Sequence, residues 1–108
     1  MNKKLGDKYY TLFTDNYIEK KSLFKTSKVF YSDMVKIYIT VPMYDNKEKN
    51  IKEKYNYSFK IALKNNRKIY FTIYTIREEF VEVIDFLSSF NIIIQTIYYD
   101  ETAPNGTD

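Results

Sequence analysis

Hydrophobic and polar residues alternate along most of the chain. Over residues 55–64 every second position is apolar or aromatic, from Tyr55 to Leu63, and the same alternation runs through residues 36–43 and 68–74. A period of two is typical of a β-strand that buries one face. Three shorter segments also have strand composition: 9–13, 17–24 and 28–31. We therefore predict six strands, mostly antiparallel.

The turn between the last two of these strands is predicted to hold an odd number of residues. If Ile61 and Leu63 share the core face with Ile69 and Phe71, residue 63 pairs with 69 and residue 61 with 71. A two-residue turn would instead move one apolar set to the solvent side. We predict a three- or five-residue loop centred on Asn66, because asparagine tolerates the left-handed conformation that such loops need.

One helix follows these strands. Its apolar positions repeat with the helical period: they are Ile76, Phe80, Val83, Ile84 and Leu87. The sequence from Thr75 to Glu78 has the form of a capping box, in which the two side chains bond orphan backbone amides. Residues 91–99 are rich in Ile and Tyr and are predicted to form a last strand with both faces buried.

The domain boundaries follow from these elements. Residues 1–8 are polar and are predicted to be a flexible N-terminus, residues 9–99 form one domain, and residues 100–108 form a disordered tail. The segment 44–54 is predicted to be a long loop, a feature that is often functional.

Residues 10–19 place a turn containing Thr14, Asp15 and Asn16 between two strands, and residues 29–37 contain a short aromatic strand, a Ser-Asp step and an Ile-containing strand. With residues 59–69 and the helix that begins at Thr75, these motifs resemble bacterial pleckstrin-homology-like (PH-like) domains. The likeness covers about residues 9–90. It implies an α+β, mostly β fold: an antiparallel six- or seven-stranded sheet or partly open barrel, with one amphipathic helix near the C-terminus.

The resemblance also implies a binding role, because PH-like domains are scaffolds for proteins, peptides or lipid headgroups. Fold alone does not choose among these ligands. Lipid-binding members carry basic residues between their first two strands. Here that loop is predicted to be 14–16, which has no cation, so inositide binding is not implied.

The composition excludes most kinds of catalytic site. The 108 residues include no Cys, no His and two Gly, which excludes thiolate and imidazole chemistry and glycine-rich phosphate loops. We therefore expect no enzyme activity and no catalytic, cofactor-binding or metal-binding residues. The formal charge of +3 is too small to favour nucleic acid. No signal peptide is visible and no apolar run is long enough to cross a bilayer, which predicts a cytoplasmic protein.

Tyrosine and lysine side chains are the candidates for partner binding. Tyr38, Tyr70 and Tyr74 lie on the polar sides of predicted strands, where they either stabilise cross-strand pairs or form a protein interface. Tyr44, at the start of the long loop, is a further candidate. The candidate lysines are Lys20, Lys21, Lys25 and Lys28 around one hairpin, and Lys47, Lys49, Lys52 and Lys54 in the long loop. These lysines are either a solvated surface or an electropositive patch.

Two functions follow as hypotheses. The first is a small non-enzymatic module that recognises a protein partner through an aromatic and lysine-bearing surface, as an inhibitor, immunity or accessory protein. The alternative is a peripheral domain that binds an anionic membrane.

Overall fold

The computed structural model describes residues 1–42 and 52–99 of the chain. The described residues form a mostly β, α+β structure, as predicted. The strands are β1 (Lys3–Gly6), β2 (Tyr10–Phe13), β3 (Tyr17–Lys21), β4 (Thr26–Phe30), β5 (Met34–Pro42), β6 (Lys54–Leu63), β7 (Lys68–Ile76) and β8 (Ile93–Tyr99). Helix α1 (Arg77–Leu87) lies between β7 and β8, and a short 3₁₀ turn (Tyr31–Asp33) separates β4 from β5.

The strands make two four-stranded sheets. The first is an antiparallel meander in the order β1-β2-β3-β4, and the second has the order β7-β6-β5-β8. In the second sheet β8 pairs with β5 in parallel, whereas the other pairs are antiparallel. The parallel pair is possible because α1 carries the chain across between β7 and β8.

The core lies between the two sheets and under the helix. Phe13 comes from the first sheet, and Phe59 and Ile61 come from the second, all nearly or fully buried. Helix α1 adds Phe80, whose ring stacks on Tyr57 with the centroids 3.9 Å apart. The alternation that predicted a buried face for the long strands is confirmed.

The β6–β7 hairpin confirms the predicted parity and corrects the register. The partner of Ile69 is Ile61, whereas the prediction paired Ile69 with Leu63. The Leu63 N–H donates to the Arg67 carbonyl over 2.9 Å. These contacts enclose a three-residue loop. Asn66 is left-handed, with φ of 69°, but it is the last loop residue rather than the centre. In three-residue hairpin loops the left-handed residue follows a type I turn, which explains the shift.

The predicted capping box is wrong. The helix begins at Arg77, and Ile76 is its N-cap with no side-chain capping bond. Thr75 continues the alternation of β7, so its side chain is buried. Its hydroxyl donates to the carboxylate of Glu79 instead of accepting from the helix backbone.

The N-terminal residues differ from the flexible segment that the sequence predicts. Lys3–Gly6 forms β1, because Leu5 packs against the core and the Lys3 ammonium reaches Glu79 at 3.3 Å and Glu82 at 3.0 Å. Seven strands therefore precede the helix, one more than predicted. The loop between the first two strands is consequently 7–9 and contains Lys8, so the assignment of that loop to 14–16 was wrong.

Strand β8 is exposed apart from Ile94, which packs against the core, and the prediction of burial on both faces was wrong. Ile93, Ile97 and Tyr98 are all exposed, because β8 lies at the edge of the second sheet. The predicted tail 100–108 and most of the predicted long loop, residues 44–51, lie outside the described residues.

Candidate functional site

The outward side of the second sheet gathers tyrosine and lysine side chains. Cross-strand pairing aligns Tyr38 with Lys60 and Lys60 with Tyr70, so the three form one row across β5, β6 and β7. We define the tyrosine–lysine face as the outward aromatic and basic residues of these strands. They are Lys36, Tyr38, Lys54, Lys60, Lys68, Tyr70 and Tyr74.

Lysines contact two tyrosines of this face: two lysines lie over Tyr38, and the Lys54 ammonium lies 5.8 Å from the centre of the Tyr74 ring. The Lys36 and Lys60 ammonium groups lie 4.7 Å and 4.5 Å from the centre of the Tyr38 ring, which is half-buried. Cation–π contacts of this kind contribute roughly 0.5–1 kcal/mol at exposed sites. Tyr70 and Tyr74, by contrast, are 68% and 62% exposed. The face thus presents one half-buried ring, Tyr38, held between two lysines, and two exposed rings, Tyr70 and Tyr74.

The charge on this face is positive throughout. The outward positions of the described strands β5, β6 and β7 contain no carboxylate, and the remaining outward residues, such as Thr40, Ser58 and Thr72, are neutral. Glu78, Glu79, Glu82 and Asp85 lie on helix α1 instead. The outward face of these three strands is therefore basic, whereas the acidic residues of α1 lie off this face.

A second candidate surface is the tip of the β3–β4 hairpin. Phe24 is 91% exposed and Leu23 is also exposed, with Lys21 and Lys25 on either side in the chain. The β1–β2 loop, which contains Lys8, lies at the same end of the sheet because Gly6, Tyr10, Lys21 and Thr26 form one cross-strand row. Two exposed apolar side chains are therefore flanked by Lys21 and Lys25, at the end of the sheet that also carries Asp7 and Lys8.

A groove of about 540 Å³ lies beside this tip, between the first and second sheets. Lysine and arginine line its rim, apolar side chains line its floor, and Asp33 is the one carboxylate among its described lining residues. Burial lowers the pKa of the Lys20 ammonium, which lies 3.3 Å from the Thr11 hydroxyl. The groove lining includes Lys20, Lys25, Lys28 and Arg67.

The structure distributes the predicted site residues over these two surfaces, and Tyr70 borders both because it also lines the groove. Tyr38, Tyr70, Tyr74 and Lys54 lie on the tyrosine–lysine face, and Lys20, Lys25 and Lys28 line the groove. Lys21 points to the opposite side of the first sheet, beside Tyr10. Lys52 is exposed just before β6. Tyr44, Lys47 and Lys49 lie outside the described residues.

Sequence reasoning missed two groups of residues. Lys36, Lys60 and Lys68 belong to the face, and their alternation with core residues on the same strands was a signal that could have found them. Leu23 and Phe24 were assigned to a strand that ends at residue 24, whereas β3 ends at Lys21. Two adjacent apolar residues break the period of two, which was the available sign of a hairpin tip.

Two acidic residues of α1, Glu79 and Glu82, are held by Lys3. The pKa of Glu79 is below its ordinary value, first because the Thr75 hydroxyl donates to it and then because of Lys3.

The described residues contain no group of three or more acidic, His or Cys side chains that could hold a metal ion. Within residues 1–42 and 52–99, no helix has the length and apolar character needed to cross a membrane. No protein-family model matches this chain, and no match was found among curated proteins.

Proposed function

We propose that this chain is a non-enzymatic module that binds a protein partner with an acidic surface through the tyrosine–lysine face. The observation that carries the proposal is the Tyr38–Lys60–Tyr70 row, set in a sheet surface without carboxylates. Tyrosine is enriched at protein interfaces and often contributes much of their binding energy. A broad, open sheet face fits another protein's surface better than it fits a small molecule, which needs a concave pocket.

The lysines give this face a preference for acidic partners. Complementary charge raises the association rate and disfavours partners of the same sign. Because Lys36 and Lys60 also fix the Tyr38 ring, binding would immobilise few additional side chains. A module of this kind acts by covering its partner, which suits an inhibitor, immunity or accessory protein in the cytoplasm.

The order of the elements supports a PH-like scaffold for this module. Four strands of the first sheet are followed by the antiparallel strands β5, β6 and β7 and then by helix α1. Seven strands before a C-terminal helix is the usual number for that family. Strand β8 is an addition, and it extends the sheet that carries the tyrosine–lysine face.

Affinity capture with the tagged chain tests the proposal. We expect the native chain to retain one discrete cellular protein at 150 mM and at about 0.5 M salt, since apolar contacts resist screening. The double variant Tyr70→Ala and Tyr74→Ala should lose tenfold or more of that protein. Phe30→Ala, an exposed aromatic on the other sheet, should retain it. Equal capture by the double variant would refute the assignment of the face.

A second candidate function is attachment to an anionic membrane through the β3–β4 tip. Its specific support is the exposure of Leu23 and Phe24 between Lys21 and Lys25. Exposed apolar residues flanked by lysines combine burial in the acyl region with attraction to acidic lipids. The neighbouring groove, with Lys20 and Arg67, would face the headgroups.

Vesicle sedimentation distinguishes this candidate from the first. Binding to vesicles with about a third phosphatidylserine, absent with phosphatidylcholine alone and lost at high salt, would support it. Phe24→Ser should then weaken binding by tenfold or more, because burying a phenylalanine side chain contributes about 1.5–3 kcal/mol. Phe30→Ser serves as the matched control. Failure to bind acidic vesicles would eliminate the membrane candidate and leave the protein-binding proposal intact.

A further inference from the structure

Strand β8 is a sheet edge without the usual protection against pairing. Its residues from Ile93 to Tyr99 include no charge, no Pro and no Gly. The other strands at sheet edges each carry lysine, including Lys4 in β1, Lys28 in β4 and Lys68 in β7. Among the described residues, no strand pairs with the outer edge of β8. An uncharged edge of this kind is a template for a further strand.

The side chains of β8 are also available for contact. Ile93 is 63% exposed, and Ile97 is exposed on the same side of the sheet. Their partners in β5 are Lys36 and Thr40, so both isoleucines border the tyrosine–lysine face. Gln95 lies between them on this side and pairs with Tyr38.

We propose that the outer edge of β8 pairs with β8 of a second copy of this chain, antiparallel, across a two-fold axis perpendicular to the sheet. Such an axis keeps each side chain on its own side of the sheet, so paired residue numbers must have an even sum. The register that matches exposed side chains places Ile93 opposite Ile97 of the partner subunit. Gln95 then meets Gln95 of the partner subunit on the axis, where two amides can exchange hydrogen bonds.

The charge distribution favours a second copy as the occupant. No like charges meet within the paired strands, and the nearest outward lysine, Lys36, is one strand removed from the edge. The Lys36 residues of the two copies would be three strand spacings apart, about 14 Å, and offset by four residues along the strands, so their separation exceeds the Debye length of about 8 Å at physiological salt. An acidic protein would instead be drawn to the lysines of the face.

The pairing closes the assembly and joins two binding faces. Both free β8 edges are used, so a two-fold dimer forms and no filament grows from this contact. The result is a continuous eight-stranded sheet in which the two tyrosine–lysine faces lie on the same side. The dimer does not depend on the proposed partner-binding function, and the experiments below read association of the chain alone.

Disulfide trapping tests the register directly. The native chain has no Cys, so Gln95→Cys introduces a single thiol at the proposed axis. Directly opposite Cβ atoms lie about 4.5–5.5 Å apart, close enough for a disulfide after small adjustment. Upon mild oxidation Gln95→Cys should form a covalent dimer of twice the 13.1 kDa chain mass, at least tenfold faster than the control Thr72→Cys on β7. Equal rates for the two variants would overturn the proposal.

Sedimentation equilibrium tests the reversible dimer. The native chain should approach twice its monomer mass as its concentration rises, and Thr72→Lys should behave in the same way. Gln95→Lys places like charges against each other and should weaken the dimer at least tenfold, and Ile93→Lys is a second variant at an exposed position. Circular dichroism melting of each variant verifies folding. A native chain that stays monomeric up to about 1 mM, or lysine variants that still dimerise fully, would contradict the proposal.

Discussion

Two turn residues have backbone conformations that most amino acids avoid. Gly6 has φ of 107° and Asn66 has φ of 69°. Gly6 is the last residue of β1, where the β1–β2 turn begins, and Asn66 lies in the β6–β7 turn. A Cβ atom added at Gly6 would lie 2.3 Å from the Tyr9 carbonyl oxygen, a backbone atom that cannot move without opening the turn. Gly6 therefore fixes the start of the fold more firmly than its exposed position suggests.

Gly6→Ala is expected to destabilise the protein by about 2 kcal/mol or more, because backbone strain adds to the steric clash. The measurement is the free energy of unfolding in urea. Asp7→Ala, at the exposed neighbouring position, should change that free energy by less than about 0.5 kcal/mol. Equal values for Gly6→Ala and Asp7→Ala would show that the turn conformation does not constrain the fold.

Glu79 should make stability depend on pH. Its pKa in the folded state lies below its ordinary value of 4.5, because Thr75 donates a hydrogen bond and Lys3 is close. A lowered folded pKa contributes stability above the unfolded pKa, and that stability is lost as the pH falls through the folded pKa. Glu79→Gln should therefore lower the free energy of unfolding at pH 7 by roughly 0.5–1 kcal/mol, and the difference should shrink as the pH falls below the ordinary value and through the folded pKa.

Glu78→Gln is the matched control for this pH profile. Glu78 lies in the same first turn of α1 and experiences the same helix dipole, whereas Lys3 and Thr75 contact Glu79. Parallel pH profiles for the two variants, measured by urea unfolding from pH 3 to 7, would show that those contacts contribute nothing.

At the scale of elements, Phe80 is the aromatic side chain of helix α1 that packs on the second sheet. The ring of Phe80 stacks on Tyr57 at an interplanar angle of 5° and also meets Phe59 at 6.5 Å. Phe80→Ala is expected to cost about 3–5 kcal/mol, the range for truncating a buried phenylalanine. Val81→Ala, one residue along on the exposed side, should cost less than 1 kcal/mol. A Phe80→Ala loss as small as the Val81→Ala loss would mean that the helix does not close the core.

The elements themselves were largely predictable from sequence, because each depends on local periodicity. The long strands and the apolar stripe of the helix followed from alternation and from the spacing of Phe80, Val83 and Leu87. The start of the helix could not be predicted in this way. Thr75 is a good N-cap residue by type, but as part of β7 its side chain is buried in the core. Strand β1 was missed because Lys3 and Lys4 suggest a solvent-exposed segment. In the structure Lys3 forms ion pairs with Glu79 and Glu82, which are distant in the sequence.

At the scale of the whole molecule, the relations between strands were not predictable. The parallel pairing of β8 with β5 depends on how α1 crosses the sheet, which no local pattern encodes. The outward tyrosines were found from the sequence because they occupy polar positions of predicted strands. Their assembly with Lys36, Lys60 and Lys68 into one face required the register between β5, β6 and β7.

Electrostatic attraction to the tyrosine–lysine face can be tested with two equivalent lysines. Lys60 lies 4.5 Å from the Tyr38 ring on the face, and Lys4 lies 4.6 Å from the Tyr10 ring on the first sheet. Lys60→Glu and Lys4→Glu change the net charge equally. We expect Lys60→Glu to slow association with the captured partner tenfold or more at low salt, and Lys4→Glu to have a small effect. Surface plasmon resonance measures both rates, and equal slowing would indicate attraction by net charge alone.

Site-specific photocrosslinking in living cells tests the central claim most directly. A photoreactive phenylalanine analogue would replace Tyr70 or Tyr74 on the tyrosine–lysine face, or Phe30 on the first sheet, three exposed aromatic positions that tolerate a similar ring. The account predicts one discrete crosslinked protein from positions 70 and 74 and none from position 30. Crosslinks from position 30 alone, or the same crosslinked proteins from all three positions, would contradict it.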